Sequence, residues 1–221
     1  MSIAVKICGL TAPAAIDAAV SAGADYGGLV FHPRSPRLVG LDQGHMLADT
    51  MRGRLKVVAL IADLEDGAIE ALAKTVGPDL LQLHGQETVK RTAEIRSRFA
   101  LPVIKALAVA DASDLTIAAE YEKAADMLMF DAKPPKGTER GGGHGAAFDW
   151  KLLSGRSFAK PWFLAGGLTP DNVARALALS GAKQVDVSSG VESAPGVKDP
   201  ALIAAFVNAT KSSAYLSTQS A

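Results

Sequence analysis

One cysteine among 221 residues excludes an intrachain disulfide framework and is compatible with the cytosol. Charge of either sign is not in excess. Lys plus Arg and Asp plus Glu stand at 23 each, so there is no electrostatic case for a nucleic-acid partner. No uninterrupted apolar run approaches the ~20 residues of a membrane span, and the opening MSIAVKICGL lacks the basic and long apolar segments of a secretion signal. The histidines form no H-x-x-x-H pair and no C-x-x-C occurs, so no metal motif is present. What remains is 48% hydrophobic and 21% charged, at a length that one domain with a large core can use. The expectation is a soluble, cytoplasmic, single-domain protein without a nucleic-acid or membrane partner.

Short apolar runs alternate with Ala-rich stretches of helical period. The runs are Ile3–Cys8, Tyr26–Phe31, Lys56–Ala62, Leu80–Leu83, Val103–Leu107, Met127–Asp131, Trp162–Ala165 and Gln184–Ser188. Between them lie Ala12–Ser21, Leu64–Thr75, Glu87–Phe99, Ala112–Tyr121 and Pro170–Leu179. Thr11 stands ahead of Pro13 and Thr169 ahead of Pro170, both helix-start signals. Such alternation implies parallel strands joined by right-handed crossovers. Eight units can close into a (β/α)8 TIM barrel. The other architecture, an open doubly wound sheet, is opposed by the lack of G-x-G-x-x-G after the first strand. The barrel is expected to span residues 1–211. The Ser-, Ala- and Thr-containing tail 212–221 is expected to be disordered.

The site of such a barrel forms at the carboxyl ends of its strands. Those ends carry Cys8, His32, Asp63, His84, Lys105, Asp131, Gly166-Gly167 and Ser188-Ser189-Gly190, more polar and permissive residues than packing needs. A lone thiol is often a buried small hydrophobe, whereas a reactive one needs a polar setting, and position alone leaves both readings open. Gly166 and Gly167 after strand seven, and Ser188, Ser189 and Gly190 after strand eight, fall where this fold recurrently binds phosphate through backbone amides. Either stretch alone could be turn chemistry. Asp131 leads into the long Gly-rich connection Ala132–Ala147, which contains His144. A carboxyl group beneath such a lid can be kept protonated and serve as a general acid. After strand two, Arg34 and Arg37 could fork onto a carboxylate, although Arg34 reads better as a surface turn residue. His84 is placed to line the site, and His45 reads as a surface helix residue.

The segments Lys6-Ile7-Cys8-Gly9-Leu10-Thr11, Gly28-Leu29-Val30-Phe31 with Ser35-Pro36-Arg37, and Leu81-Gln82-Leu83-His84-Gly85 follow one another along the chain. Asp131 with the Gly-rich loop and Phe148-Asp149-Trp150 comes next, then Leu164-Ala165-Gly166-Gly167-Leu168 and Asp186-Val187-Ser188-Ser189-Gly190-Val191-Glu192. In this order they resemble the phosphoribosylanthranilate isomerase family of tryptophan biosynthesis, over nearly the whole chain. The resemblance implies isomerisation of N-(5-phosphoribosyl)anthranilate to 1-(2-carboxyphenylamino)-1-deoxyribulose 5-phosphate, an Amadori rearrangement, without cofactor or metal. It implies Cys8 as general base and Asp131 as general acid, with Arg37 on the anthranilate carboxylate. The loops after strands seven and eight would hold the phosphate, and His84 and Asp186 are further candidate substrate contacts. His32 stands where the family more often has another aromatic residue. Competing readings are the related histidine-pathway isomerase, a Schiff-base aldolase using Lys105 or Lys133, and a non-catalytic sugar-phosphate binding barrel. A monomer is the default expectation and a homodimer the alternative.

Side-chain alternation adds one expectation. If Cys8 faces the barrel interior, so does Lys6, and closure of the barrel sets strand one beside strand eight. Asp186 is then the natural partner for the buried ammonium. The positive potential of Lys6 is expected to lower the pKa of Cys8.

Overall fold

The computed structural model describes residues 3–133 and 147–218, with backbone alone beyond Ser213. Eight parallel strands close on themselves in sequence order: β1 (Ala4–Cys8), β2 (Tyr26–Val30), β3 (Lys56–Ile61), β4 (Leu80–Leu83), β5 (Val103–Val109), β6 (Met127–Ala132), β7 (Trp162–Leu164) and β8 (Gln184–Val187). Around them lie α1 (Pro13–Ala22), α2 (Leu41–Met51), α3 (Asp66–Val76), α4 (Val89–Phe99), α5 (Ala118–Ala124), α6 (Val173–Ser180) and α7 (Pro200–Thr218). The (β/α)8 barrel read from the sequence is the fold observed.

Four features depart from the sequence reading. The helix α2 was not among the stretches named, and Ala112–Tyr121 divides into a 3-10 turn capped by Asp111 and the start of α5. A small hairpin, β9 (Glu192–Ala194) with β10 (Val197–Lys198), follows β8. The helix α7 runs on to Thr218, so the tail expected from Ser212 overlaps its last turns. Most of the Gly-rich connection, 134–146 with His144, lies outside the described residues.

Alternation sorts the strand residues into two cores. Ile7, Leu29, Val57, Leu81, Phe130 and Val185 face the helices. Tyr26, Val58, Leu80, Ile104, Met129 and Phe163 fill the barrel itself, with Tyr26 edge-on to Phe163 at 5.4 Å between centroids. That apolar plug closes the barrel below the polar residues at its mouth.

The amino-terminal foot carries a repeated clasp. Asp25, Asp79 and Asp126 each stand one residue before β2, β4 and β6, and each carboxylate accepts the amide of Val5, Val57 or Val103 on the preceding strand, at 2.8, 2.7 and 3.0 Å. The backbone amide of each aspartate returns a bond to the carbonyl of the same valine, at 2.9 Å in all three cases. Asp79→Ala should therefore cost about 1–3 kcal/mol, the desolvation of an orphaned buried amide, measured by urea unfolding. It should leave kcat unchanged, because the clasp lies at the far end of the barrel from the site.

Candidate active site

Cys8 ends β1, is buried, and points into the barrel mouth with Lys6 one layer below. Lys6 is fully buried, and its Nζ lies 2.7 Å from Oδ1 of Asp186 across the β1–β8 seam, where the two residues are in register. The pairing expected from alternation is present. Burial alone would push the ammonium down, but Asp186 and Cys8 together more than offset it and hold Lys6 above the ordinary lysine range. The expected effect on Cys8 needs correction. Burial pushes the thiol above its ordinary range, and the pull of Lys6 and Lys198 does not reverse that because Asp186 works against it. The space beside Cys8 and Lys6 is kept by Gly28, the register partner of Cys8 on β2. A Cβ there would stand 3.1 Å from both the Cys8 sulfur and the Lys6 ammonium.

Asp131 sits near the end of β6 with a side chain 18% exposed. Its Oδ1 accepts the Ala132 amide at 2.8 Å, and its Oδ2 lies 3.2 Å from Nε2 of His84, just past β4. The structure thus sets His84 against the candidate acid. The turn after β7 must come close to that carboxyl group: Gly166 has φ +83°, and a Cβ on it would sit 2.4 Å from the Ala132 nitrogen and 2.9 Å from Oδ1 of Asp131. Only glycine fits both demands. Gly167, also at positive φ, has its carbonyl bound by the Asn172 side chain. On the next loop, a Cβ at Gly190 would lie 1.9 Å from the Leu168 carbonyl oxygen, so the turns after β7 and β8 touch. Ser188 donates to the Cys8 carbonyl at 3.1 Å, which ties the second turn to β1, and Ser189 opens the short 3-10 turn that contains Gly190.

Arg37 is buried and lies across Gly9, where a Cβ would meet its Cδ at 2.3 Å. Its guanidinium forks onto Glu192, with Nε to Oε1 at 2.7 Å and Nη2 to Oε2 at 2.8 Å. Lys198 also bonds Glu192, and donates to the Ser188 carbonyl at 3.0 Å. Burial would raise the Glu192 carboxyl group, but Arg37 and Lys198 hold it below the ordinary range. A planar fork gripped on one edge presents its other N–H groups in a fixed direction. If those groups hold substrate, as the sequence reading expects, Arg37→Ala should raise KM roughly 10- to 100-fold with a smaller change in kcat. Initial rates over a range of substrate concentrations test this.

A family model described as N-(5'phosphoribosyl)anthranilate (PRA) isomerase matches residues 5–209. The chain belongs to this family. An N-(5'-phosphoribosyl)anthranilate isomerase of Cereibacter sphaeroides is 53% identical over 209 residues, covering 95% of this chain and 99% of the relative. The phosphoribosyl anthranilate isomerase of Thermotoga maritima superposes with a TM-score of 0.85 at 34% identity, over 95% of this chain and 99% of that one. A solved isomerase in complex with reduced 1-(o-carboxyphenylamino)-1-deoxyribulose 5-phosphate gives 0.81 at 30% identity, with the same coverage.

Membership in the isomerase family bears on the lysines. Lys105 was read as the end of strand five, but β5 continues to Val109 and its parity turns Lys105 outward, between Ile104 and Ala106 of the barrel interior. There it bonds Glu87 at 2.8 Å and the Gly85 carbonyl at 2.8 Å. Lys133 is paired with Asp114 at 3.1 Å. Glu87 was not singled out in the sequence, yet it also accepts the amides of Asp63 and Gly85 and so stitches together the turns after β3 and β4. Nothing in its local spacing signals that role. A cavity of about 590 Å³ opens beside this group, walled by His84, Lys105, Tyr121 and Asp131 among others. Among the described residues, no cluster of three or more His, Cys, Asp or Glu is placed to hold a metal, and no helix is long and apolar enough to cross a membrane.

Proposed function

We propose that Cys8 and Asp131 act as the base and acid that isomerise N-(5-phosphoribosyl)anthranilate in tryptophan biosynthesis. The observation that carries this reading is their placement. Both project into one mouth from strands on different sides of the barrel, with the touching glycine turns after β7 and β8 between them. Asp131 protonates the ribose ring oxygen, the C1′–O bond breaks, and the anthranilate nitrogen becomes an iminium. The C2′ proton, now acidic, passes to the Cys8 thiolate, which leaves an enolamine. Tautomerisation to the 1-deoxyribulose ketone passes the Cys8 proton to C1′ and the C2′ hydroxyl proton to the Asp131 carboxylate, so both groups are restored without an added oxidant or reductant. Because the substrate supplies its own imine, this scheme assigns no step to a lysine, metal or cofactor. Arg37 takes the anthranilate carboxylate, and the amides around Gly166, Gly167, Ser188, Ser189 and Gly190 take the phosphate. Asp186 supports the site by holding Lys6 beneath the thiol.

The alternatives each lack support. A Schiff-base aldolase would need a free lysine at the mouth, and Lys105 and Lys133 are both committed to carboxylates. The histidine-pathway reaction calls for a carboxylate where Cys8 stands. The protein is taken to work in the cytoplasm as a monomer, with a homodimer distinguished by sedimentation. Growth rescue of a strain lacking the isomerase, with loss of substrate fluorescence on turnover by the purified protein, is the deciding experiment. Soluble protein that gives neither would leave a binding barrel, and a borohydride-trapped lysine adduct would replace the mechanism.

A further inference from the structure

Behind the candidate acid lies a polar chain that the acid–base scheme leaves idle. One ring nitrogen of His84, Nε2, faces Oδ2 of Asp131 at 3.2 Å. The other, Nδ1, lies 3.0 Å from the amide nitrogen of Gln82, two residues back and fully buried in the barrel. An amide N–H only donates, so Nδ1 accepts and the ring proton resides on Nε2, directed at the carboxylate. The rest of the Gln82 side chain is poorly served. Its Oε1 is buried with no partner among the described residues, and its nitrogen has only the Met129 thioether at 3.4 Å as a second contact. A leucine would pack there without that cost. With the amide reversed, its oxygen would face Nδ1, and a singly protonated ring would then carry its proton on Nδ1 and set a bare Nε2 lone pair against the carboxylate.

We infer that Gln82 and His84 are positioning residues for the general acid. The buried amide selects the Nε2–H tautomer of His84, and that N–H steadies the carboxylate which Asp131 becomes when its proton leaves. The inference rests on the reading of Asp131 as the acid. A hydrogen bond to a carboxylate is stronger than one to a carboxyl group, so the contact grows as the proton passes to the ribose oxygen and contributes to kcat rather than to substrate affinity. Among the described residues, the neighbouring cations leave this task to His84, since Lys105 is held by Glu87 and Lys133 by Asp114.

Nitrogen-15 spectra of imidazole-labelled protein at neutral pH read the tautomer of His84 directly, with no substitution needed. The proton is expected on Nε2; a proton on Nδ1 would overturn the proposal. Gln82→Met, which keeps the volume and removes the donor, should give a mixture of tautomers and lower kcat on the order of 10-fold with KM nearly unchanged. His84→Leu should lower kcat by about 10- to 100-fold. His84→Gln, whose amide nitrogen can reach the place of Nε2, should recover most of that loss. Leu and Gln variants equal in kcat, or a Gln82→Met protein with an unchanged spectrum, would dismiss the arrangement. Asp131→Asn separates the two ideas. If it is inactive while His84→Leu is normal, only this inference falls; if it stays active, the acid assignment itself fails.

Discussion

Cys8→Ser should lower kcat by roughly 10²- to 10⁴-fold, the span that a positioned base contributes, while KM moves much less. The substitution changes little besides acidity. Serine fits the volume beneath Gly28, keeps the β1 backbone, and disturbs neither the Lys6–Asp186 pair nor the Ser188 bond to the Cys8 carbonyl. A hydroxyl so buried stays protonated far beyond the pH at which a thiol ionises. Because burial places the thiol above its ordinary range in the free protein, the thiolate is scarce at neutral pH. Alkylation by iodoacetamide should be slow there and still be accelerating past pH 9.0, the ordinary value from which Cys8 is raised. Near-normal kcat in Cys8→Ala would reduce the thiol to a packing residue.

Asp131→Asn should cause a loss of similar size, roughly 10²- to 10⁴-fold in kcat. The amide has the shape of the carboxyl group, and its oxygen can still accept from Ala132. What it lacks is a proton that can be given to the ribose oxygen. The thermal midpoint should stay close to that of the parent, since Asp131 is partly exposed and, among the described residues, carries no ion pair with lysine or arginine. A variant that keeps kcat but loses substrate affinity would make Asp131 a binding residue instead.

Strand existence was legible because eight apolar runs recur with helix-forming sequence between them, and parity along β1 and β8 was enough to join Lys6 to Asp186 across 180 positions. Strand length was less legible, and for Lys105 it mattered. Two further residues on β5 change nothing about its parity, but they move Lys105 from the rim to the wall, where Glu87 rather than a substrate meets it. The Arg37–Glu192 fork joins residues 155 positions apart through a hairpin that has no strong period of its own, so no local pattern announces it. The direction of the Cys8 shift escaped for another reason. Sequence names the nearby charge, but only packing shows how completely the sulfur is removed from water.

The aspartate clasps at the foot give the barrel a pitch of two strands rather than one. The pairs β1–β2, β3–β4 and β5–β6 are each buckled twice below the sheet. The fourth pair has Lys183 where the clasping aspartate would be, and β7 meets β8 at a single registered position, Leu164 with Val185. Three-quarters of the wall is thus laced into stiff staves, while the remaining quarter is the one whose upper ends form the glycine turns. That lightly registered quarter lies beneath the proposed anion grip, while the laced strands are the ones that aim the thiol and the carboxyl group.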